Sequence, residues 1–231
     1  MASIGIITYD YKHLKTEQVL RNLFAGNTDG DQYTLFALKF TPRSPRKELF
    51  CHRPNQFTGM ETSELANKYG LPFIECETDI DISSGCDLYM ITGAGIISEA
   101  CIQGKRIINC HSGIIPMTRG LDSFKWAIID HKPIGNTLHY IDKNVDEGDI
   151  IAVKQTPLYS DDTLSMFATR HYYEEIIMLA NYKYYLRNPE NTFSKVERCE
   201  PYRRMPLAIE EKLEDEFLKY KAQFSIKRHN D

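Results

Sequence analysis

The sequence predicts an α/β fold, in which helices cover both faces of a mostly parallel β-sheet. Two observations predict it. Along the 231 residues, short apolar runs alternate with segments whose apolar residues recur at helical spacing, and this alternation is typical of parallel sheets. The short runs are also apolar nearly throughout, as strands buried on both faces are. We therefore expect a Rossmann-like sheet, followed by a short C-terminal helical extension.

Each predicted strand is a short apolar run that ends at a glycine, a proline or a polar turn. In chain order, the predicted strands are residues 3–8, 33–40, 71–74, 87–92, 106–109, 135–141 and 149–156. Three polar loops, at 9–13, 93–95 and 109–120, follow strands in this scheme. Ligands of such sheets gather beyond the carboxyl ends of the strands, so we expect the chemistry of the chain in these loops.

The predicted helices are residues 13–25, 62–68, 96–103, 122–130, 163–186 and 208–222. Asp162 is predicted to cap the longest of them, because aspartate accepts hydrogen bonds from the free amides of a helix start. The Glu174–Glu175 pair in that helix indicates a face in contact with water. Residues 1–186 are predicted to form the catalytic domain and residues 187–231 a C-terminal extension.

Composition and charge disfavour several classes of function. The formal net charge is −4, so no strong basic field attracts nucleic-acid phosphates. The apolar run at residues 4–7 is too short for a signal peptide, and no run is long enough to span a membrane. Six cysteines occur without a Cys-x-x-Cys pair, which favours reduced thiols. We expect a cytoplasmic protein with no metal, no nucleic-acid partner and no membrane contact.

An amide and an imidazole stand together where the predicted strand 106–109 opens into a loop. Asn109 and His111 project from one side of an extended chain and Cys110 from the other, because side chains alternate. Acyl transfer to an amine builds negative charge on an oxygen, which a fixed amide donor stabilises. An imidazole can take up the proton of the attacking amine. Asp146, in a turn before a strand, can orient that imidazole or relay the proton.

Each of these residues also has a structural interpretation. Asn109 can cap a loop and His111 can be a buried core histidine, since a short Asn-x-His pattern often matches by chance. Asp146 suits a turn whatever its chemistry. The wider sequence around them favours the catalytic interpretation.

The runs NCHSGIIPMTRGLDSFKWAI, at 109–128, and GNTLHYIDKNVDEGDII, at 135–151, resemble the folate-dependent formyltransferase family. This family includes glycinamide ribonucleotide transformylase, the catalytic domain of methionyl-tRNA formyltransferase and the sugar N-formyltransferases. The residues that match its pattern are Asn109, His111, Gly113, Pro116, Arg119, Gly120, Gly135, Thr137, His139, Asp146, Gly148 and Ile150. Ser112 departs from the pattern, in which proline is usual. The resemblance implies the formyltransferase fold, with Asn109, His111 and Asp146 as the catalytic residues.

The resemblance also implies N10-formyltetrahydrofolate as the formyl donor. In the family, the pterin ring lies between a strand end and the loop before the catalytic aspartate, and backbone groups bind most of it. The matching positions here are Gly95 and Ile97 on one wall, and Asp142 and Val145 on the other. Without the resemblance, residues 93–95 are a tight turn, and their glycines do not complete a dinucleotide-binding pattern.

The acceptor amine is predicted from chain length and from the loop after the first strand. We expect too few residues after Asp146 for the barrel domain of the tRNA enzymes. Loop 9–13 contains no glycine, whereas the purine enzyme has a glycine-rich phosphate loop there. Residues 112–113 and 119–126 are similar to sugar N-formyltransferases. Arginine suits the phosphates of a nucleotide-linked sugar and aromatic rings suit its base; the candidate residues are Tyr9, His52, Arg53 and Gln56.

The sequence therefore predicts an N-formyltransferase whose acceptor is the amino group of a nucleotide-linked amino-deoxysugar, such as a dTDP- or GDP-4-amino-4,6-dideoxyhexose. Two alternatives stay open. The first is the phosphoribosylglycinamide formyltransferase of purine synthesis. The second is a non-catalytic module that binds folate or a nucleotide. A homodimer is compatible with the sequence, although nothing in it requires one.

Overall fold

The computed structural model describes residues 1–26, 30–42, 46–144, 146–190 and 199–227, and within them seven strands form one sheet. The strands are β1 (Ser3–Tyr9), β2 (Gln32–Leu38), β3 (Phe73–Cys76), β4 (Leu88–Ile91), β5 (Ile107–His111), β6 (Gly135–Tyr140) and β7 (Ile150–Gln155). Their order across the sheet is β3-β2-β1-β4-β5-β6-β7. The predicted strands and the mostly parallel, Rossmann-like sheet are confirmed.

The sheet changes direction at β5. Strands β1 to β5 pair in parallel, whereas β6 pairs antiparallel with β5 and β7 pairs antiparallel with β6. The prediction ended this strand at Asn109, but pairing of His111 with Thr137 of β6 keeps the chain extended through His111. The loops that follow β1, β4 and β5 therefore begin at one edge of the sheet.

The helices are α1 (Leu14–Ala25), α2 (Thr62–Tyr69), α3 (Glu99–Ile102), α4 (Ser123–Ile129), α5 (Leu164–Ala180), α6 (Tyr182–Arg187), α7 (Leu207–Glu210) and α8 (Leu213–Phe224). The prediction of one helix at 163–186 is wrong, because the chain breaks at Asn181. The prediction that Asp162 caps it is also wrong. The Thr163 side chain accepts from Met166 N, while Asp162 forms an ion pair with Arg170 at 2.6 Å.

Helices cover both faces of the sheet, as predicted. On one face, Val19 of α1 and Ile176 of α5 belong to the same buried cluster as Ile4 of β1. On the other face, Cys101 of α3 belongs to a cluster with Phe36 of β2. No helix among the described residues is long and apolar enough to cross a membrane.

The described C-terminal residues pack against the rest of the chain. Phe217 and Tyr220 of α8 share a buried cluster with Phe124 of α4 and Phe167 of α5. Residues 191–198 lie outside the described part of the chain. The division into a domain at 1–186 and an extension at 187–231 stays a prediction.

A buried carboxylate on α5 contradicts the prediction that Glu174 and Glu175 face water. Only 1% of the Glu175 side chain is exposed, and it forms ion pairs with Lys15 of α1 at 2.5 Å and with Arg53 at 2.6 Å. Burial by itself raises the pKa of Glu175, but the two cations overcome this effect and lower the pKa. Glu174 is buried as well. Charged residues of α5 are tolerated inside the molecule where other segments supply partners.

We expect the fold to lose stability as the pH falls below about 6.5, the ordinary histidine pKa. Burial lowers the pKa of His13 to about 4 and that of His171 to about 3. Both rings therefore stay neutral in the folded chain at pH values at which the unfolded chain takes up protons. Each ring should lower the unfolding free energy by roughly 1.4 kcal/mol per pH unit in this window.

Urea denaturation between pH 7 and pH 4.5 measures this slope. The variant His171→Gln lacks one of the buried rings, so its slope should be shallower by about 1.4 kcal/mol per pH unit. Equal slopes for the two proteins would contradict a buried, neutral His171.

Candidate active site

Asn109 and His111 lie at the carboxyl end of β5 and project from the same side of the strand. Cys110 projects from the opposite side into the cluster that contains Ile108, where burial raises the pKa of its thiol. The Asn109 side chain is half-buried and forms no hydrogen bond within the described part of the chain. Its amide is therefore available to a ligand oxygen.

The side chains of His111 and Asp146 are in contact beyond the carboxyl end of β5. The distance from His111 Nδ1 to Asp146 Oδ2 is 3.3 Å, and the two side chains are 9% and 13% exposed. Asp146 comes from the loop between β6 and β7, where its backbone is left-handed with φ 51°. Aspartate tolerates this conformation better than most residues do. The structure thus joins an imidazole and a carboxylate that the sequence could only place in separate loops.

The other ring nitrogen of His111 faces the protein. Nε2 is 3.0 Å from the Thr118 carbonyl oxygen and 3.2 Å from Ser123 Oγ. A carbonyl oxygen can only accept, so Nε2 carries a proton, and Nδ1 is the nitrogen that faces Asp146. A Cβ at Gly113 would lie 2.6 Å from Nε2. Glycine at this position leaves room for the ring.

Thr137, a residue of the matched pattern, fixes the loop that follows His111. Its hydroxyl donates to the Gly113 carbonyl at 2.7 Å and accepts from Ile115 N at 3.1 Å. These bonds hold the loop next to Ser112, where the family pattern has proline.

Residues 119 and 120 hold Asp146, a role that the sequence analysis missed. Gly120 N donates to Asp146 Oδ2 at 2.9 Å, and Arg119 forms an ion pair with Glu147. Gly120 has φ 84°, and a Cβ on it would collide with the backbone of Tyr202. Tyr202 N in turn donates to the Arg119 carbonyl at 2.8 Å. The C-terminal segment therefore braces the loop that positions Asp146; the Arg-Gly match in the sequence was the available signal.

His139 is a second imidazole beside Asp146. Its Nε2 is 3.8 Å from Asp146 Oδ1, and its Nδ1 donates to the Tyr140 carbonyl at 2.9 Å. Burial lowers the pKa of His139 to about 4, so near pH 7 the ring is neutral and Nε2 is an acceptor. Asp146 therefore lies between two imidazoles.

The residues predicted to bind folate lie in two loops. Gly95 and Ile97 follow β4, Asp142 follows β6, and Val145 lies outside the described residues. The Asp142 carboxylate accepts from Asn144 N at 2.8 Å, which fixes the turn after β6.

These two loops meet over one face of the sheet. Ile97 is buried and shares a hydrophobic cluster with Ile141, so its side chain belongs to the core and its backbone is the part left for a ligand. A Cβ at Gly95 would find no atom within 4 Å, which indicates open space. Ile96, which the sequence analysis did not select, is 89% exposed beside it.

Three of the predicted acceptor-binding residues lie near the start of α1. The Tyr9 ring is 5.4 Å from the His13 ring. Arg53 binds Glu175 but keeps 31% of its side chain exposed. The Gln56 carbonyl accepts from Leu14 N at 2.8 Å.

His52 is set apart from these residues. Its ring stacks on Phe124, with 5.9 Å between ring centres, and burial lowers its pKa well below the ordinary value. Its Nδ1 is buried without a hydrogen-bond partner among the described residues. A role for His52 in substrate binding stays a prediction.

Known proteins resemble this chain in sequence and in fold. Residues 87–181 match the formyl transferase family model. Over 64 residues the chain is 39% identical to a dTDP-4-amino-4,6-dideoxyglucose formyltransferase of Mycobacterium tuberculosis, a match that covers 28% of this chain and 27% of that protein. Over 78 residues it is 35% identical to a phosphoribosylglycinamide formyltransferase of Bacillus subtilis, which covers 32% and 40%. The matches thus span less than half the length of either relative.

The structural similarity to known proteins covers more of the chain than the sequence matches do. A sugar N-formyltransferase from a Shewanella species superposes with a TM-score of 0.62 at 18% identity, covering 95% of this chain and 88% of that one. The matched residues 87–181 include Asn109, His111 and Asp146. Over this segment the chain is similar to the formyl transferase family, and its fold is similar to that of a sugar N-formyltransferase.

Proposed function

We propose that the chain transfers a formyl group from N10-formyltetrahydrofolate to the amino group of a nucleotide-linked amino-deoxysugar. The observation that carries the proposal lies at the carboxyl end of β5. There His111 Nδ1 is 3.3 Å from Asp146 Oδ2, and Asn109 projects from the same side of the strand as His111. A neutral donor of hydrogen bonds and a proton-exchanging pair are the two elements that acyl transfer to an amine needs.

The residues divide the work as follows. Formyl-folate supplies an electrophilic formyl carbon, and Asn109 Nδ2 donates to the oxygen on which negative charge develops. One proton has to move from the amine to the departing folate nitrogen. Since the Thr118 carbonyl occupies His111 Nε2, the ring exchanges protons with Asp146 through Nδ1. Asp146 is therefore the group that passes the proton on, directly or through a water.

The open space at Gly95 suits the flat pterin ring of the donor. The exposed Ile96 offers apolar surface beside it, and the backbone groups of Ile97 and Asp142 offer hydrogen bonds. We place the folate here because the same loops adjoin the strand that carries Asn109. Binding of one flat face by apolar contact and of the edge by backbone groups is the usual design of such sites.

Charge near the site supports a nucleotide-linked acceptor. Lys15 and Arg53 share the single carboxylate of Glu175, which leaves one positive charge in excess, with Arg53 partly exposed. A guanidinium of this kind suits a diphosphate. The Mycobacterium tuberculosis relative is itself named for a dTDP-linked aminosugar.

The loop after β1 distinguishes this acceptor from a ribonucleotide phosphate. The buried His13 ring fills that loop, with Nδ1 3.0 Å from Thr16 Oγ1 and the ring against Gly93. Little room is left for a phosphate among the backbone amides there. The Bacillus subtilis relative nevertheless keeps phosphoribosylglycinamide as the second candidate acceptor.

Mass spectrometry tests the acceptor. The chain is incubated with N10-formyltetrahydrofolate and either phosphoribosylglycinamide or a panel of nucleotide-linked amino-deoxysugars. We expect kcat/KM to be at least about a hundredfold larger for one of the sugars. Comparable constants would assign the chain to purine synthesis, and binding without formylation of any amine would make it a non-catalytic module.

A cytoplasmic location is part of the proposal. It rests on the six cysteines, which are all free thiols.

A further inference from the structure

An aromatic cleft lies where the loops after β1 and β2 meet. It has a volume of about 450 Å³, and its lining residues are Asp10, Tyr11, Phe40, Pro42 and Phe57. Tyr11 is 41% exposed and Phe57 is 47% exposed. None of these rings belongs to the buried clusters of the described core. Packing in the hydrophobic core therefore does not explain why these rings lie together.

The rings are arranged as stacking surfaces. Tyr11 and Phe40 are nearly parallel, with 5.3 Å between ring centres and 11° between planes. Phe40 and Phe57 are 4.6 Å apart and tilted by 41°. Partly exposed aromatic rings, as Tyr11 and Phe57 are, can act as platforms on which bases stack, because each base has a π-face.

A carboxylate is fixed at the edge of the cleft. Asp10 Oδ1 accepts from Phe40 N at 2.7 Å, and Asp10 N donates to the Leu38 carbonyl at 2.8 Å. Asp10 Oδ2 has no hydrogen-bond partner in the described part of the chain, although Lys39 is near enough to interact with the carboxylate through its charge, and Oδ2 can accept one more hydrogen bond. Thymine, uracil and guanine present a ring N–H on their edge. Adenine and cytosine present a ring-nitrogen lone pair there, which a carboxylate repels, so only their neighbouring amino group is left to donate to it.

The distance from this cleft to the active site suits a nucleotide-linked sugar. The cleft lies beyond the end of β2, and the sheet order places β5 three strands away. At a strand spacing of about 4.8 Å, the separation is about 14 Å. An extended ribose, diphosphate and pyranose spans such a distance. Lys15, at the start of α1, and Arg53, which shares the Glu175 carboxylate with it, offer positive charge for the diphosphate.

We propose that this cleft is the nucleobase subsite of the acceptor: Tyr11, Phe40 and Phe57 stack on a base with a ring N–H, and Asp10 accepts that N–H. This inference rests on the proposed function in one respect, that the acceptor is nucleotide-linked. It names the bases that the site takes and a specificity-determining residue, Asp10.

Calorimetric titration with dTDP, GDP, ADP and CDP tests the subsite without folate and without turnover. The wild-type chain should prefer dTDP or GDP. Phe57→Ala and Tyr11→Ala should each weaken that binding roughly tenfold or more, because each removes a stacking surface. Tyr173→Ala is the matched control, since Tyr173 on α5 is also 47% exposed; it should bind as the wild type does. Asp10→Asn should reduce the preference over ADP and CDP.

Two results would overturn the subsite: unchanged affinities in both Phe57→Ala and Tyr11→Ala, or equal losses in Tyr173→Ala. Thermal unfolding of each variant shows that the fold is intact. The subsite and the proposed function fail separately. If a nucleotide-linked aminosugar is formylated with an unchanged KM by Phe57→Ala, the subsite is wrong and formyl transfer stands. If no amine is formylated but dTDP or GDP binding depends on Phe57, the subsite stands and the transferase does not.

Discussion

Replacing Asn109, His111 or Asp146 by alanine is expected to lower turnover at least about a hundredfold in each case. Loss of one donor to a developing oxyanion typically lowers turnover by about 10²–10³, and loss of a general base by about 10²–10⁴. Folding and nucleotide binding should survive, because the Asn109 side chain forms no hydrogen bond among the described residues and none of the three side chains belongs to a hydrophobic core cluster. Steady-state kinetics with formyl-folate and the acceptor measures the loss.

The combined variant should be little worse than the worst single variant, since the three residues act on one transition state. Cys110→Ala is the control, because its side chain points into the core cluster and away from the site. It should keep near-normal turnover. An inactive Cys110→Ala together with an active His111→Ala would contradict the register of β5 and the mechanism built on it.

Removing the buried carboxylate of Glu175 is expected to have the largest effect on stability. Glu175→Ala leaves Lys15, whose side chain is 8% exposed, without its partner. Breaking a buried ion pair from one side typically destabilises a protein by about 3–5 kcal/mol. Arg53 is more exposed and can turn towards water. Urea denaturation at pH 7 measures the change in unfolding free energy.

The neighbouring residue provides a matched control. Glu174 Oε2 is buried without a hydrogen-bond partner among the described residues, and burial raises the pKa of Glu174. Glu174→Gln should therefore change stability by less than about 1 kcal/mol. A double variant, Lys15→Met with Glu175→Leu, should recover most of the loss, because apolar replacement of both partners removes the unpaired charge. Equal losses in Glu174→Gln and Glu175→Ala would show that the ion pair is not the cause.

Local patterns were sufficient for the strands and for the side of β5 from which Asn109 and His111 project. Alternation along an extended chain separates Cys110 from Asn109 and His111, and the structure confirms it. The helix at 163–186 shows where local patterns stop: helical spacing continues through Asn181, but the chain breaks there. The spacing of apolar residues indicates which face of a helix is apolar. It does not indicate whether the backbone stays helical at every residue.

The sequence by itself determined the α/β sheet, the loops that follow its strands and the candidate catalytic residues, because periodicity and motif are properties of neighbouring residues. Only the tertiary structure decided which side chains meet. It brings His111 to Asp146, braces Gly120 with Tyr202 and buries Glu175 between Lys15 and Arg53. Each of these contacts joins segments that are distant along the chain. Their formation depends on the packing of the whole sheet and its helices, which no local pattern encodes.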